Sequence, residues 1–426
     1  MKIPDLYNIY LQHSSVQTDT RKLKQGDLFF ALKGPSFNGN SFAAKAIEAG
    51  AAYAVIDDPA YAIEGRTILV DDVLTALQQL ANHHRRQFDI PFLAITGSNG
   101  KTTTKELIHA VLSSSYTTYT TEGNFNNHIG IPLTILKIRK DAQMAVIEMG
   151  ANHQREIASY CTIAEPTHGL ITNCGKAHLE GFGGVEGVRK GKGELYDHLR
   201  QAGGTAFVMW DYDYLRDMSK GIPEIITYGE SNSSIEGRPV ATGQYLSVVF
   251  SKGLDTQINT SLVGDYNLPN VLAAAAVGLY FKVPARKIQD AIEGYEPTNS
   301  RSQLMKKGTN AIVLDAYNAN PSSMKAAIIN FAKMEGSDKI LALGAMAELG
   351  EESLQEHQAI VDEIGKHQWK SVILVGGDFA KVNHPYKQFS SSAEAGPWLK
   401  EEQPQNAMLL IKGSRSMQME RLLDYL

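Results

Sequence analysis

The chain has 426 residues, of which 43% are hydrophobic and 20% are charged, and its formal net charge is −5. This composition is typical of a folded globular protein, and the length suggests about three domains. With 41 basic and 46 acidic residues, the chain lacks the basic excess of a nucleic-acid-binding protein. We find neither a signal peptide nor a run of about 18 apolar residues, so we expect no membrane insertion. Its two cysteines, Cys161 and Cys174, are expected to be reduced, buried thiols of a cytoplasmic protein.

The first predicted unit covers residues 1–88 and alternates strands with helices. Apolar runs at 27–32 and 52–56 predict strands, and periodic segments at 41–50 and 72–87 predict helices. The sequence Asp-Ile-Pro follows and marks a boundary. A small α/β domain is therefore expected here.

An apolar strand then runs into Gly-Ser-Asn-Gly-Lys-Thr at residues 97–102, and the next helix is predicted to start near Lys105. Such a turn aims backbone N–H groups and a helix N-terminus at one point, which suits phosphate. The loop is shortened, since Ile95 stands where the common phosphate loop has its first glycine. Lys101 would reach the outer phosphates, and the threonines after it would hold Mg²⁺. We predict a nucleoside triphosphate site; the alternative is an ordinary turn.

The predicted central unit, residues 89–305, has two further buried strands, at 144–149 and 168–173, that end in polar residues. In an open parallel sheet, ligands bind outside the carboxyl ends of the strands, so Glu148 and Asn173 are placed near the ligand. A carboxylate at Glu148 can hold an Mg²⁺ that bridges the β- and γ-phosphates. A surface carboxylate at a strand end is an equally good interpretation.

Other stretches of this unit leave alternatives open. His178 could ligate a second divalent ion or be a hydrogen-bonded loop histidine. The basic run at 188–195 is either a solvated surface or a segment that points one lysine at the phosphate site. Residues 225–263 predict antiparallel strands, and residues 270–280 predict an alanine-rich buried helix.

The third predicted unit, residues 306–426, is again α/β. Asp315 ends its first strand, and the polar stretch Ala-Tyr-Asn-Ala-Asn-Pro leads into a helix for which Ser322 is the predicted cap. Polar residues packed into a turn cost stability unless they are satisfied, which favours a functional role. Lys412 and Arg415 follow the last strand, where they could clamp a carboxylate or phosphate or lie in a surface turn.

Together these stretches resemble the Mur ligase family, and within it the branch that adds D-alanyl-D-alanine. The resemblance runs the length of the chain and is carried by residues 19–21, 26–29, 37–39, 96–104, 123–134, 148–152, 177–180, 317–321 and 412–415. It implies a small α/β N-terminal domain (1–88) for the UDP end of a substrate. It also implies a central, mainly parallel-sheet ATPase domain containing the phosphate loop (89–305), and a Rossmann-like C-terminal domain (306–426) for the incoming dipeptide.

The implied activity is that of an ATP-dependent amide ligase of cytoplasmic peptidoglycan precursor synthesis. It would join D-alanyl-D-alanine to UDP-N-acetylmuramoyl-tripeptide through an acyl phosphate. ATP and Mg²⁺, in two ions, would be required, and the resemblance suggests a monomer. Rival interpretations are a superfamily ligase with another acceptor, such as one adding glutamate to folate, a phosphate-loop NTPase switch or motor, and a nucleotide-binding regulator.

The resemblance also implies roles for particular residues. The implied catalytic residues are Lys101, His178 and Lys192, and Lys192 aligns with the lysine that Mur ligases carry as an N-carboxylate. The implied metal ligands are Thr102, Glu148, His178 and Lys192. The implied nucleotide-binding residues are Gly97, Ser98, Asn99, Gly100, Lys101, Thr102, Thr103, Asn270, Arg301 and Asp315. The implied substrate-binding residues are Thr20, Arg21, Asn126, Asn127, Tyr317, Asn318, Asn320, Lys412, Ser414 and Arg415.

Three positions depart from the family pattern. Tyr266 stands where the family usually has histidine, so one nucleotide contact is expected to differ. Ala345 replaces the aspartate of Gly-Asp-Met-x-Glu-Leu-Gly, and Ala316 interrupts the paired acidic residues expected before Tyr317. Contacts made by the C-terminal domain are therefore expected to differ from those of relatives.

Overall fold

The computed structural model describes residues 1–13, 15–240, 243–298, 300–336 and 338–426, and over these residues the chain forms three α/β units, each built on its own sheet. The sheet of the first unit is parallel, with strand order β1-β2-β5-β6, and a short antiparallel hairpin, β3-β4, lies beside it. The strands are β1 (Val16–Gln17), β2 (Leu28–Phe30), β3 (Lys33–Gly34), β4 (Phe37–Asn38), β5 (Tyr53–Ile56) and β6 (Thr67–Leu69). The helices are α1 (Ile3–Gln12), α2 (Ala43–Glu48) and α3 (Val73–Arg85).

Helix α3 fixes the first unit to the second. Leu28 and Phe30 belong to an apolar core that continues into the central unit, whereas Phe29 packs in a separate cluster on the other face of the sheet, as side-chain alternation along a strand requires. Near the C-terminal end of α3, the Arg85 Nε donates to the Ala164 carbonyl at 2.8 Å. A ring nitrogen of His84 lies 2.9 Å from the Ile138 carbonyl. These bonds satisfy buried carbonyls of the central unit, so the two units pack as one body.

The sheet of the central unit has the order β15-β14-β13-β12-β11-β10-β7-β9-β8. Its strands are β7 (Phe92–Thr96), β8 (Thr118–Thr120), β9 (Met144–Glu148), β10 (His168–Ile171), β11 (Thr205–Met209), β12 (Glu224–Gly229), β13 (Ile235–Val240), β14 (Ser247–Lys252) and β15 (Gln257–Asn259). Its helices are α4 (Lys101–Ser113), α5 (Gly130–Leu136), α6 (Glu156–Ala164), α7 (Leu179–Phe182), α8 (Val185–Ala202), α9 (Asp213–Ser219), α10 (Leu268–Tyr280) and α11 (Ala285–Glu293).

The prediction of an antiparallel segment over 225–263 is wrong at its start. β12 pairs parallel with both β11 and β13, and antiparallel pairing begins between β13 and β14. The reason is that α9 returns the chain between β11 and β12, which makes a parallel crossover.

The sheet of the C-terminal unit has the order β16-β17-β21-β18-β19-β20, and all its pairs except β16-β17 are parallel. The strands are β16 (Gln303–Lys307), β17 (Asn310–Asp315), β18 (Lys339–Gly344), β19 (Ser371–Val375), β20 (Lys387–Phe389) and β21 (Met408–Lys412), and the helices are α12 (Pro321–Lys333), α13 (Ser353–Ile364) and α14 (Ser392–Glu402). The predicted α/β class is thus confirmed. β16 straddles the boundary predicted between residues 305 and 306, and the domain limits stay a prediction.

The predicted cap of α12 is wrong. Asn320 is the N-cap, because its side chain accepts a hydrogen bond from the Ser323 N–H and Pro321 takes the first helical position. The Ser322 hydroxyl is therefore available for another contact. In the described part of the chain, every helix is too short or too polar to span a lipid bilayer. Cys161 and Cys174 are buried and free, as predicted.

Candidate active site

A cavity of about 1560 Å³ lies where the phosphate loop of the central unit faces the C-terminal unit. It is bounded by the carboxyl ends of central-sheet strands and by the turn after β17. The predicted site residues that line it are Ser98, Asn99, Gly100, Lys101, Thr102, Thr103, Asn126, Asn127, Glu148, His178, Asn270, Arg301, Asp315, Tyr317, Asn318, Asn320, Lys412, Ser414 and Arg415. Residues from two separate units therefore share one space.

The loop after β7 depends on two glycines. Gly97 has φ of 143° and Gly100 has φ of 79°, both in the region that side chains disfavour. A Cβ at Gly97 would lie 2.0 Å from the Thr172 hydroxyl, so the loop also needs close backbone approach there. Helix α4 starts at Lys101, not near Lys105 as predicted, because the left-handed Gly100 caps it directly. The helix N-terminus therefore opens onto the cavity, which favours an anion.

The Lys101 ammonium folds back over this loop. Its Nζ donates to the Gly97 carbonyl at 2.6 Å and to the Ser98 carbonyl at 3.3 Å. Burial lowers the pKa of Lys101 to about 8, against the opposing effect of the Glu148 charge. A half-buried cation with few counter-charges is stabilised by an arriving phosphate.

Glu148 ends β9 and is 1% exposed. Its Oε1 accepts from the Asn126 amide at 2.7 Å and from the Thr102 hydroxyl at 3.3 Å, whereas Oε2 has no partner among the described residues. A buried carboxylate oxygen without a donor suits a bound cation. Over those same residues, no three His, Cys, Asp or Glu side chains form a metal-binding group.

Lys192 lies on α8, behind the cavity wall, and is 1% exposed. Its Nζ donates to the Ala151 carbonyl at 2.9 Å and lies 4.9 Å from the centre of the Phe182 ring. Burial, reinforced by the positive charge of Lys101, lowers the pKa of Lys192 to about 7. Burial therefore favours the neutral amine over the ammonium.

The C-terminal unit contacts His178 through a residue that sequence reasoning did not select. The Nδ1 of His178 is in contact with the Glu348 carboxylate, and that contact holds the pKa of Glu348 below its usual value. The Glu180 N–H also donates to the Glu348 carbonyl at 3.4 Å. The only sequence signal for Glu348 was its place in the Gly-Ala-Met-Ala-Glu-Leu-Gly stretch at 344–350.

Three further contacts join the units beside the phosphate loop. The Asn320 amide donates to Asn99 Oδ1 at 2.7 Å. The hydroxyl of Ser322 accepts from the Lys176 N–H at 3.0 Å, and the Lys176 ammonium pairs with Glu356 at 2.5 Å. The phosphate loop is thus in direct contact with the C-terminal unit.

On the predicted nucleotide side, Asp315 is held from two directions. Its Oδ2 accepts from the Lys412 ammonium at 2.6 Å, and its Oδ1 accepts from the Ser302 N–H at 3.1 Å. The Tyr266 hydroxyl lies 2.9 Å from the Ser302 hydroxyl. Tyr266, which stands where the family usually has histidine, therefore contacts the segment that carries Arg301. The predicted contact of Asp315 with ribose stays a prediction.

Other predicted residues have protein partners. Asn270 Oδ1 accepts from the Thr104 hydroxyl at 2.9 Å, the Ser414 hydroxyl donates to the Ala345 carbonyl at 2.6 Å, and Arg415 pairs with Glu420 at 3.0 Å. The guanidinium of Arg301 lies 3.7 Å from the centre of the Tyr317 ring. Thr20 and Arg21 lie in the first unit, away from the residues that line the cavity. Arg21 is largely exposed there and pairs with Asp19.

Three family models match consecutive parts of the chain. They are the Mur ligase family catalytic domain over residues 13–85, the Mur ligase middle domain over 95–278, and the Mur ligase glutamate ligase domain over 300–415. The UDP-N-acetylmuramoyl-tripeptide–D-alanyl-D-alanine ligase of Bacillus subtilis is 35% identical, covering 96% of this chain and 92% of that protein. This chain belongs to the Mur ligase family.

Further members of the Mur ligase family are similar to this chain in sequence and in structure. The Escherichia coli protein of the same name as the B. subtilis relative is 33% identical over 99% of this chain and 96% of its own length. A crystal structure of MurF from Acinetobacter baumannii superposes with a TM-score of 0.88 at 32% identity, covering 96% of this chain and 92% of that one. MurF from Thermotoga maritima, solved in complex with ADP, gives a TM-score of 0.87 at 25% identity, with 97% of each chain covered. The expected family and three-domain Mur ligase fold are therefore confirmed.

Proposed function

We propose that this chain joins D-alanyl-D-alanine to UDP-N-acetylmuramoyl-tripeptide at the expense of ATP. The observation that carries the proposal is similarity along nearly the whole chain to relatives named for this activity, at 35% and 33% identity. The cavity supports it, because the phosphate loop faces the stretch 317–321 that resembles the D-alanyl-D-alanine-adding branch. We also propose that the reaction takes place in the cytoplasm, where ATP and the UDP-linked precursor would be available, and that the chain is a monomer.

In the proposed reaction, the terminal carboxylate of the tripeptide attacks the γ-phosphate of ATP, which gives an acyl phosphate and ADP. The amine of D-alanyl-D-alanine then attacks the acyl carbon, and phosphate leaves from the tetrahedral intermediate. Activation is needed because a free carboxylate is a poor electrophile. The chain supplies position and positive charge, with Lys101 and the N-terminus of α4 against the phosphates. Contact between the domains would keep water from the acyl phosphate.

The residues fit Mg²⁺, because Glu148 offers a buried oxygen with no hydrogen-bond partner in the described chain. Thr102, Glu148 and His178 would hold Mg²⁺, and we propose two ions. When bound, Mg²⁺ would neutralise charge on the β- and γ-phosphates.

We propose that Lys192 carries an N-carboxylate, formed when its neutral amine attacks CO₂ and loses a proton. The pKa of about 7 supports this, since only the unprotonated amine is a nucleophile. Protein incubated with ¹³C-bicarbonate should give a carbamate ¹³C signal that is absent from Lys192→Met. The same spectrum from both proteins would refute the modification.

The test of the function is phosphate release from ATP with both substrates, with the amide product identified by mass spectrometry. Release should require both substrates, and Lys101→Ala should abolish it, whereas Lys190→Ala, at an exposed position of α8, should not. Equal release without D-alanyl-D-alanine would favour an NTPase over a ligase. Tripeptides ending in lysine or diaminopimelate, tested in parallel, would identify the preferred third residue.

A further inference from the structure

Glu348 is held against the central domain at two points and in an uncommon backbone conformation. Its carboxylate contacts His178 Nδ1, and its carbonyl accepts from the Glu180 N–H at 3.4 Å. Both partners of the side-chain contact are left-handed, with φ of 52° at His178 and 62° at Glu348. Such conformations persist in residues other than glycine when the surroundings determine them.

The loop that presents Glu348 is anchored within the C-terminal domain. His357 is fully buried, and its Nε2 accepts from the Met346 N–H at 3.1 Å. The Ser414 hydroxyl donates to the Ala345 carbonyl at 2.6 Å. The carboxylate is therefore brought to His178 by a fixed loop and not by a freely moving side chain alone.

A carboxylate bound to one nitrogen of an imidazole fixes the ring orientation and places the lone pair on the other nitrogen. Here Nδ1 is the nitrogen in contact with the carboxylate, and His178 also lines the cavity. We propose that Glu348 is a positioning residue that holds His178 with Nε2 turned to Mg²⁺. The magnesium site of the central domain is then complete only when the C-terminal domain is docked. This inference rests on the proposed role of His178 as a magnesium ligand.

If the Glu348–His178 contact only held the domains together, its loss would change metal affinity no more than the loss of any other interdomain contact. The pairs Asn320–Asn99 and Lys176–Glu356 already join the same two domains. Among these three contacts, Glu348–His178 is the one that ends on a proposed metal ligand. The two roles therefore predict different effects on metal affinity.

The test is a titration with Mn²⁺, followed by electron paramagnetic resonance, of the full-length protein bound to β,γ-methylene-ATP. Glu348→Ala should weaken Mn²⁺ binding by about 10- to 100-fold. Glu348→Gln, which keeps an acceptor oxygen, should lose less. The matched control is Glu356→Gln, which removes the neighbouring interdomain ion pair and should leave the affinity almost unchanged, because neither Lys176 nor Glu356 is a proposed metal ligand. The Glu348 side chain is 50% exposed, so its variants should fold.

His178→Ala separates the two hypotheses. If His178→Ala weakens Mn²⁺ binding and Glu348→Ala does not, the role of Glu348 is refuted and the proposed metal site stands. If neither variant changes the affinity, His178 is not a ligand and the inference fails with it. If Glu348→Ala and Glu356→Gln weaken Mn²⁺ binding equally, Glu348 serves only as a contact between the domains, and its positioning role is refuted. The imidazole ¹⁵N shifts of His178 should also move in Glu348→Ala and stay in place in Glu356→Gln.

Discussion

Glu148 shows, at the scale of single residues, how a site can require a charge that folding does not favour. The side chain is 1% exposed, and its Oε2 has no partner in the described structure. An unsatisfied buried polar group costs about 1–3 kcal/mol, and a charged one costs more. Binding of a cation is a better explanation for this carboxylate than packing is.

Glu148→Gln tests this explanation. The amide keeps the shape and an acceptor for Asn126 but removes the charge, so phosphate release should fall by about 100-fold. The free energy of unfolding in urea should stay the same or rise by about 1 kcal/mol, because a buried charge is lost. Glu122→Gln, at an exposed ion pair with Lys137, should change neither quantity. A Glu148→Gln enzyme with full activity would remove Glu148 from the site.

Helix α12 combines two functions, at the scale of the element, in the side chain of Asn320. The Oδ1 caps the helix by accepting from the Ser323 N–H at 2.9 Å, and the Nδ2 donates to Asn99 in the phosphate loop at 2.7 Å. The helix start is therefore also a contact between domains. Because one atom serves each function, substitutions can separate them.

Asn320→Asp keeps the capping oxygen but loses the donor to Asn99. We expect the free energy of unfolding to be maintained within about 0.5 kcal/mol, while phosphate release falls by about tenfold. Ser323→Ala should have the opposite effects, because it removes the hydroxyl that accepts from the Asn320 N–H. The free energy of unfolding should fall by about 1 kcal/mol, while the rate of phosphate release should change little. Urea unfolding and initial rates on both variants measure the two effects. Parallel losses in both variants would show that capping alone explains them.

The first two domains, at the scale of the whole molecule, share a continuous apolar core across α3. Arg85 is central to that junction, because it donates to the Ala164 and Glu165 carbonyls and its guanidinium lies 3.8 Å from the centre of the Phe92 ring. Its loss would leave buried carbonyls without a donor. The N-terminal domain should therefore depend on this residue for its attachment.

Arg85→Leu should lower the free energy of unfolding by about 2–4 kcal/mol. The neighbouring Arg86 has a mostly exposed side chain paired with Glu165, so Arg86→Leu should cost less than about 1 kcal/mol. Urea denaturation followed by tryptophan fluorescence and circular dichroism compares the two variants. Equal effects would show that the junction does not depend on the buried bonds.

Acid should destabilise the whole molecule through histidines that are buried or half-buried. Burial lowers the pKa values of His84, His109, His168, His198 and His357, and His168 is lowered to about 4. The unfolded chain binds more protons than the folded chain between about pH 4 and 6.5, so the free energy of unfolding falls as the pH drops through that window. By this linkage His168 alone accounts for about 2 kcal/mol between pH 7 and 5. Urea midpoints at both pH values should therefore differ less in His168→Gln than in the unaltered chain.

Local patterns predicted much of this molecule. The phosphate loop and Glu148 follow from a glycine-rich turn and from the rule that ligands bind at strand ends, both readable within a few residues. The prediction of Ser322 as the cap is wrong because serine is a good cap in general, whereas the Asn320-Pro321 pair before it fixes the helix start. The Asn320–Asn99 bond joins residues 221 positions apart. Such contacts depend on how folded domains dock, which no local pattern encodes.

The seam between Lys176 and Ser322 has a consequence for inhibition. The phosphate loop and the turn after β17 belong to separately built sheets, and the Asn320–Asn99 bond joins them beside the cavity. A compound that bound between the two units at this contact would act on the protein without resembling any of its small-molecule substrates. Its selectivity would depend on the side chains that meet at this contact between the two units.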